Sequence, residues 1–216
     1  MNNPLISVCI PVYDQLKYVE RLLDSIVIQE YKNIEVIVSD DSNHTKIEDL
    51  CKQYDKKLSL RYFKHQPSLK TPRNWNFALE QALGQFAILI HQDDYFAKPD
   101  SITTYLNKFK ENKNLGFVFS RNTPMFDNGE LVENVRRDPK IIYNLKMKVD
   151  HLVDVFVIGP PSNVMISNKI NIKYDERFIW LVDVDYCVRM IESGAEYSFI
   201  DEHLVTIGMH AEQATV

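Results

Sequence analysis

The chain has no glycine before Gly84 and only 6 in 216 residues. That excludes a glycine-rich phosphate loop after the first strand, the device with which dinucleotide and P-loop sites bring backbone N–H groups against phosphate. Cysteine is scarce as well. Cys9, Cys51 and Cys187 are odd in number and widely spaced, which argues against a disulfide framework or a zinc site and fits buried free thiols in a reducing compartment. No apolar run approaches the roughly 20 residues that span a bilayer. The opening Met1-Asn2-Asn3-Pro4 has no basic residue and only a short apolar run behind it, so no secretory leader and a cytoplasmic location are expected. Positive charge is also short: 25 Lys and Arg against 30 Asp and Glu leave a net charge of -5, which is no footprint for nucleic acid. Repeats, low-complexity tracts and linkers are absent, so residues 1–216 are expected to form a single domain.

The first half alternates two kinds of pattern. Short apolar runs at Leu5 to Ile10, Ile34 to Val38, Leu58 to Phe63, Phe86 to Ile90 and Leu115 to Phe119 read as strands, most of them buried on both faces. Between them, Leu16 to Ile28 and Thr45 to Tyr54 carry apolar residues at helical spacing. Thr71-Pro72 reads as the start of a further helix, with Thr71 as N-cap, Pro72 at the first helical position and Gly84 as its stop. Another helix is expected from near Pro99. Repeated βα units with short links imply a right-handed, mostly parallel sheet with helices on both faces. After Ser120 the pattern changes. Asn128-Gly129 signals a hairpin, a basic stretch runs from Arg136 to Lys148, and a helix is expected through Phe156. Gly159 to Ser162 reads as a rigid loop. Asp183 to Ser193 reads as a helix stopped by Gly194, with short strands at Tyr197 to Ile200 and Leu204 to Ile207.

Two of these strands end in paired carboxylates, Asp40-Asp41 and Asp93-Asp94, and the first ends in Pro11-Val12-Tyr13-Asp14. In open α/β sheets, ligands bind just beyond the carboxyl ends of the strands, where side chains from neighbouring strands converge. A tyrosine there can stack on a base, and a carboxylate can accept from an imide N–H. Paired aspartates suit a hard divalent cation that carries a diphosphate, because Mg²⁺ takes one or two protein carboxylates and leaves the rest to phosphate and water. The plainer alternative for each pair is a turn or a helix cap. His91 reads as a hydrogen-bonded structural residue and Trp75 as core. Trp180 is a candidate platform for an acceptor, and Lys140 to Lys148 form a solvated face that can also attract an anionic acceptor or a membrane surface.

Three blocks taken in order resemble a known family. Ile6 to Asp14, Ser25 to Gln29 and Ile34 to Ser42 are similar to the opening of inverting family-2 glycosyltransferases with the GT-A fold. Thr71-Pro72-Arg73-Asn74-Trp75-Asn76, Ala82-Leu83-Gly84 and His91-Gln92-Asp93-Asp94 resemble that family's second block, including its metal-binding DxD-type motif. Asp175 to Phe178 and Asp183 to Arg189 resemble the third. The resemblance runs from about Leu5 to His210. It implies a Rossmann-like sheet with a smaller mixed region on the acceptor side, residues 1–120 serving the nucleotide sugar and 121–216 the acceptor and catalytic base. The implied reaction is metal-dependent transfer of a sugar, from a UDP-sugar before other donors, to a glycan or lipid-linked acceptor in surface polysaccharide or glycoconjugate synthesis. Peripheral contact with the inner face of a membrane goes with such an acceptor.

Carried over residue by residue, the resemblance places Pro11, Tyr13 and Asp41 around the nucleobase, and Arg73 at the base or diphosphate. Asp93 would lie at the ribose and metal shell, Asp94 would coordinate Mn²⁺ or Mg²⁺, and His210 would meet the metal or diphosphate. Asp183 would be the general base, with Asp185 in reserve, because Val182 stands where the family usually has Glu. Ser42-Asn43 likewise replaces the usual Gly after the second strand. The competing readings are a sugar-phosphate nucleotidyltransferase, which wants the glycine-rich loop missing here, and a non-catalytic nucleotide-sugar-binding partner.

Overall fold

The computed structural model describes residues 3–132, 149, 152 and 157–211. The basic stretch Arg136 to Lys148 lies outside these residues, as does the end at Phe156 of the helix expected there. Among the described residues, one sheet holds β1 (Ile6–Val12), β2 (Ile34–Asp40), β3 (Ser59–Lys64), β4 (Phe86–Leu89), β5 (Tyr95–Phe96), β6 (Leu115–Phe126), β7 (Val164–Ser167) and β8 (Glu196–Met209). Their spatial order is β3-β2-β1-β4-β7-β6-β8-β5. Four of the seven strand pairings are parallel (β3-β2, β2-β1, β1-β4 and β6-β8), while β7 runs antiparallel to both neighbours and β5 antiparallel to β8. The expected α/β architecture is therefore present, with the mixed region at the β7-to-β5 end.

Every residue of β1 and β2 is buried, because helices cover both faces of the sheet. Alternate side chains divide between two cores. Ile6, Val8, Ile10 and Val12 pack with α1 (Leu16–Val27), α2 (Lys46–Tyr54) and α4 (Ser101–Glu111). Cys9, Ile37 and Leu89 point the other way, towards α3 (Arg73–Glu80) and α5 (Val182–Glu192). All three cysteines are buried and free, as expected. Trp75 packs against the second core, as its spacing suggested.

Several boundaries differ from the sequence reading. Pro72 occupies the N-cap position of α3, one place earlier than expected, and no side chain caps that helix. Gly84 does not stop it. A Cβ there would lie 2.7 Å from the Leu5 carbonyl oxygen and 2.7 Å from Ser7 Oγ, so this glycine exists to let the chain pass close to β1. The two short strands expected at Tyr197 to Ile200 and Leu204 to Ile207 are one strand, β8, whose pairing with β6 slips near Ser120 to Asn122. That bulge breaks the apolar alternation, which is why the sequence read as two pieces. β5 and β7 had no signal long enough to find. The Asn128-Gly129 turn does close a hairpin, with Gly129 at φ 84° and Phe126 N–H donating to Glu130 O at 2.9 Å. Gly194, at φ 84°, ends α5 in a Schellman arrangement: its N–H donates to Ile191 O at 3.0 Å and Ala195 N–H to Met190 O at 3.3 Å.

Candidate functional site

Parallel pairing puts the C-terminal ends of β1, β2 and β4 on one edge, and side chains knit the loops that follow. Asp14 N–H donates to Ser42 Oγ at 2.8 Å, and His44 Nε2 lies 2.7 Å from Asp14 Oδ1. Asp40 is fully buried and saturated by Ser42 (N–H at 2.8 Å, and its hydroxyl), Tyr62 OH at 2.6 Å and Lys64 Nζ at 3.1 Å. Burial would raise its pKa, but these donors outweigh it and hold the carboxyl below its ordinary value. Asp40 is thus a structural carboxylate. Asp41 uses its two oxygens to hold the next loop, accepting from Leu69 N–H at 2.9 Å and Lys70 N–H at 2.8 Å. Pro11 is buried within β1 opposite Ser39, whereas Tyr13 is 55% exposed.

The second strand end carries the densest chemistry. Asp94 is buried, its Oδ1 accepting from Gly208 N–H at 3.0 Å and its Oδ2 from the Ser162 hydroxyl. Burial, and then the adjacent Asp93 carboxylate, push the Asp94 carboxyl well above its ordinary range despite those donors. Asp93 Oδ2 lies 3.1 Å from His210 Nε2, and the His210 ring stacks on Tyr18 with centroids 4.7 Å apart. Ligand atoms of His91, Asp93 and Asp94 lie within 4.8 Å of one another. Burial lowers the His91 pKa, which keeps its imidazole neutral at pH 7. The ring lies tilted against Trp75 with centroids 4.8 Å apart, but its buried Nε2 has no hydrogen-bond partner, contrary to the expected hydrogen-bonded histidine. Two crowded carboxylates and a neutral imidazole fit Mn²⁺ or Mg²⁺, whose charge would offset the repulsion that raises Asp94.

Tertiary pairing builds this cluster. β8 lies antiparallel to β5 with Thr206 opposite Tyr95, so two residues on Gly208 reaches the Asp93-Asp94 peptide. A Cβ on Gly208 would sit 2.4 Å from Asp93 O, which reserves the position for glycine, and His210 follows beside Asp93. Ser162 comes from a 3₁₀ turn, Pro161–Asn163, anchored by Asn163, which donates to Ile158 O at 2.7 Å and accepts from Asn122 Nδ2 at 2.9 Å.

α5 forms the other wall. Asp183, in its first turn, accepts from Val184 N–H at 3.0 Å, and burial raises its pKa above the ordinary carboxylate value. The Asp183 carboxylate is close enough to His91 to oppose, without cancelling, the effect of burial on that imidazole. Asp185 is already committed, with its Oδ2 2.6 Å from Arg189 Nη2 and 2.9 Å from Nε. Val182 is buried in the second core, so an apolar side chain is what its place in α5 requires. Arg73 is exposed and paired with Glu176 at 3.0 Å. Before α5, Phe178, Ile179, Trp180 and Leu181 are four consecutive exposed apolar residues.

Residues 7–174 match the family model described as Glycosyl transferase family 2. The chain belongs to glycosyl transferase family 2. An uncharacterised glycosyltransferase of Methanocaldococcus jannaschii is 26% identical over 210 residues, 95% of this chain and 71% of that protein. Another, from Rickettsia felis, is 29% identical over 62% of this chain, but the match spans only 22% of the longer protein. Among solved structures, S. aureus TarS 1-349 superposes with a TM-score of 0.71 at 20% identity, covering 94% of this chain and 60% of that one. The mannosyltransferase PcManGT from Pyrobaculum calidifontis, in complex with GDP-Man and Mn²⁺, gives a TM-score of 0.69 at 14% identity over 100% of this chain and 59% of that one. These two likenesses establish the fold of this family-2 chain, a GT-A α/β sheet.

Three residues that hold the candidate site together escaped the sequence reading. Ser162 and Gly208 have no local signature, since each matters only through a partner 68 or 114 residues away in sequence. Gln92 stands inside the motif with no role that its sequence position reveals; its amide bonds the backbone of Tyr13.

Proposed function

We propose that this chain is the catalytic domain of a metal-dependent, inverting glycosyltransferase that moves a sugar from a nucleoside-diphosphate sugar to an acceptor hydroxyl. The observation that carries it is the donor cluster at the sheet edge, in which Asp93 is shared between His210 on one side and His91 and Asp94 on the other. On this reading Asp93 would be the principal metal ligand, with His91 and His210 beside it. Asp94, which the sequence reading placed on the metal, accepts from Ser162 and Gly208 and would add its negative charge to the same cluster. When bound, Mn²⁺ or Mg²⁺ supplies positive charge against the departing diphosphate. Tyr13 and Pro11 would border the base. Asp41 would meet it while holding the Leu69-Lys70 loop. Arg73 would have to leave Glu176 to reach the diphosphate.

Asp183 takes the proton of the acceptor hydroxyl as that oxygen bonds to the anomeric carbon. The bond from that carbon to the diphosphate breaks, its electron pair leaving with the nucleoside diphosphate. Attack from the face opposite the leaving group inverts the centre, with one carboxylate and no enzyme nucleophile. A carboxyl raised by burial holds a proton more readily than a free one, which suits this task. Residues 1–120 would serve the donor and 121–216 the acceptor and base.

Structures of S. aureus TarS with UDP-GlcNAc and with UDP support a UDP-sugar donor, and PcManGT with GDP-Man makes a GDP-sugar the competitor. No helix among the described residues is long and apolar enough to cross a membrane. The exposed Phe178-to-Leu181 run beside Asp183 suits a glycan or lipid-linked acceptor presented at the inner face of a membrane. The deciding experiment is calorimetric titration of UDP and GDP with and without Mn²⁺, followed by product analysis with the matching sugar donors. Binding that requires Mn²⁺ and a β-to-α or α-to-β change at the anomeric carbon supports the reading. Metal-independent binding, or retention of configuration, overturns it.

A further inference from the structure

From the geometry we infer that Gln92 is a positioning residue which locks the nucleobase wall to the cation cluster, so that the two halves of one nucleoside diphosphate are bound as a unit. The inference rests on the function proposed above. β1 and β4 pair in parallel up to Cys9 and Leu89, and Ile90 N–H donates to Cys9 O at 2.9 Å. β4 then ends, while β1 continues to Val12. Beyond that point no backbone ladder joins Tyr13 to the Asp93 loop. The Gln92 side chain replaces it: Oε1 accepts from Tyr13 N–H at 2.9 Å and Nε2 donates to Tyr13 O at 3.0 Å. A side-chain amide accepts and donates side by side while carrying no charge, copying a peptide unit.

Gln92 lies between His91 and Asp93, so this bond fixes the base-side tyrosine against the cation-side carboxylates. A ligand that touches both gains from having them preset, since ordering the loops on binding would otherwise weaken the complex. Removing the clamp should therefore reduce the help each end gives the other, more than it reduces either end alone.

The test is the factor by which Mn²⁺ tightens binding of UDP or GDP, read by calorimetry in the parent, Gln92→Leu and Gln92→Glu. Leu keeps the volume and removes both bonds; Glu keeps the acceptor and loses the donor. We expect the Mn²⁺ factor to fall at least about fivefold in Gln92→Leu and less in Gln92→Glu, with metal-free nucleotide affinity falling by a smaller factor than the Mn²⁺ factor does. A lost fold would show as a lowered melting temperature without nucleotide, and Gln92→Glu then decides alone. An unchanged Mn²⁺ factor in a folded variant overturns the inference while leaving the proposed function standing. Absence of any Mn²⁺ factor in the parent overturns both.

Discussion

Asp93 and Asp94 are neighbours in sequence with opposite surroundings, and substitution should separate them. Asp93 faces His210, while Asp94 is enclosed by Ser162 and Gly208. Asp93→Asn is expected to abolish Mn²⁺-dependent nucleotide binding and lower transfer by at least roughly 10²-fold, leaving thermal unfolding near the parent's. Asp94→Ala is expected to cost stability, about 2–4 kcal/mol, because it leaves two buried donors without an acceptor. Denaturant titration and calorimetry on both variants check this. Equal losses of metal binding, with equal stability, would mean that the two share one role.

The same contrast holds for Asp183 and Asp185. Asp185 is bound to Arg189 four residues on, an arrangement worth at most about 1 kcal/mol at a surface. Asp183→Asn should keep donor binding and lose transfer by roughly 10²–10⁴-fold, as removal of a general base does. Asp185→Asn should keep transfer and lose only a little stability. Single-turnover rates at saturating donor distinguish them, and loss confined to Asp185→Asn would move the base two residues along.

At the scale of elements, α5 and β8 each depend on one glycine for a different reason. Gly194 has φ 84°, a conformation that costs a residue with Cβ about 1 kcal/mol, so Gly194→Ala should lower the melting temperature by about 2–4 °C and spare the site. Gly208→Ala meets a stronger obstacle, the Asp93 carbonyl at 2.4 Å from the new Cβ. β8 would have to shift away from the aspartates, carrying His210 with it. Nucleotide affinity in the presence of Mn²⁺ should drop for Gly208→Ala and stay at the parent's value for Gly194→Ala. Strong Mn²⁺-dependent binding by Gly208→Ala would show that β8 does not set the cluster.

At the scale of the whole molecule, Glu35 and Asp40 are two buried carboxylates among the described residues that tie stability to acid. Burial favours the neutral form of Glu35, but Ser7, Leu83 N–H and Arg61 outweigh it and hold its pKa below the ordinary value; Asp40 behaves likewise through Ser42, Tyr62 and Lys64. A depressed folded-state pKa contributes stability that is complete above the unfolded value, about 4, and is lost as pH falls through it towards the folded value. Stability should therefore decline below about pH 4, and Glu35→Gln should flatten that decline. Melting temperatures measured across the acid range test it; an unchanged acid slope in Glu35→Gln would assign the loss to other groups.

Much of this molecule was legible before any coordinates. Burial on both faces forces a continuous apolar run, so β1, β2 and β4 announced themselves, as did the amphipathic α1 and α2. Parallel strands end on one edge, and for that reason Tyr13, Asp41, Asp93 and Asp94 could be grouped from sequence order alone. Helix and turn stops such as Gly194 and Gly129 follow from local backbone conformation, which a single residue type reveals. The tertiary structure decided the remainder, because those properties belong to pairs of distant residues. Nothing local in Val164 to Ser167 says that it inserts antiparallel between β4 and β6, or in Gly208 that β5 will draw β8 against Asp93. Which aspartate holds structure and which faces a ligand depends on the donors each meets after folding. Asp40 meets Tyr62 and Lys64, Asp94 meets Ser162 and Gly208, Asp185 meets Arg189, and Asp93 meets His210.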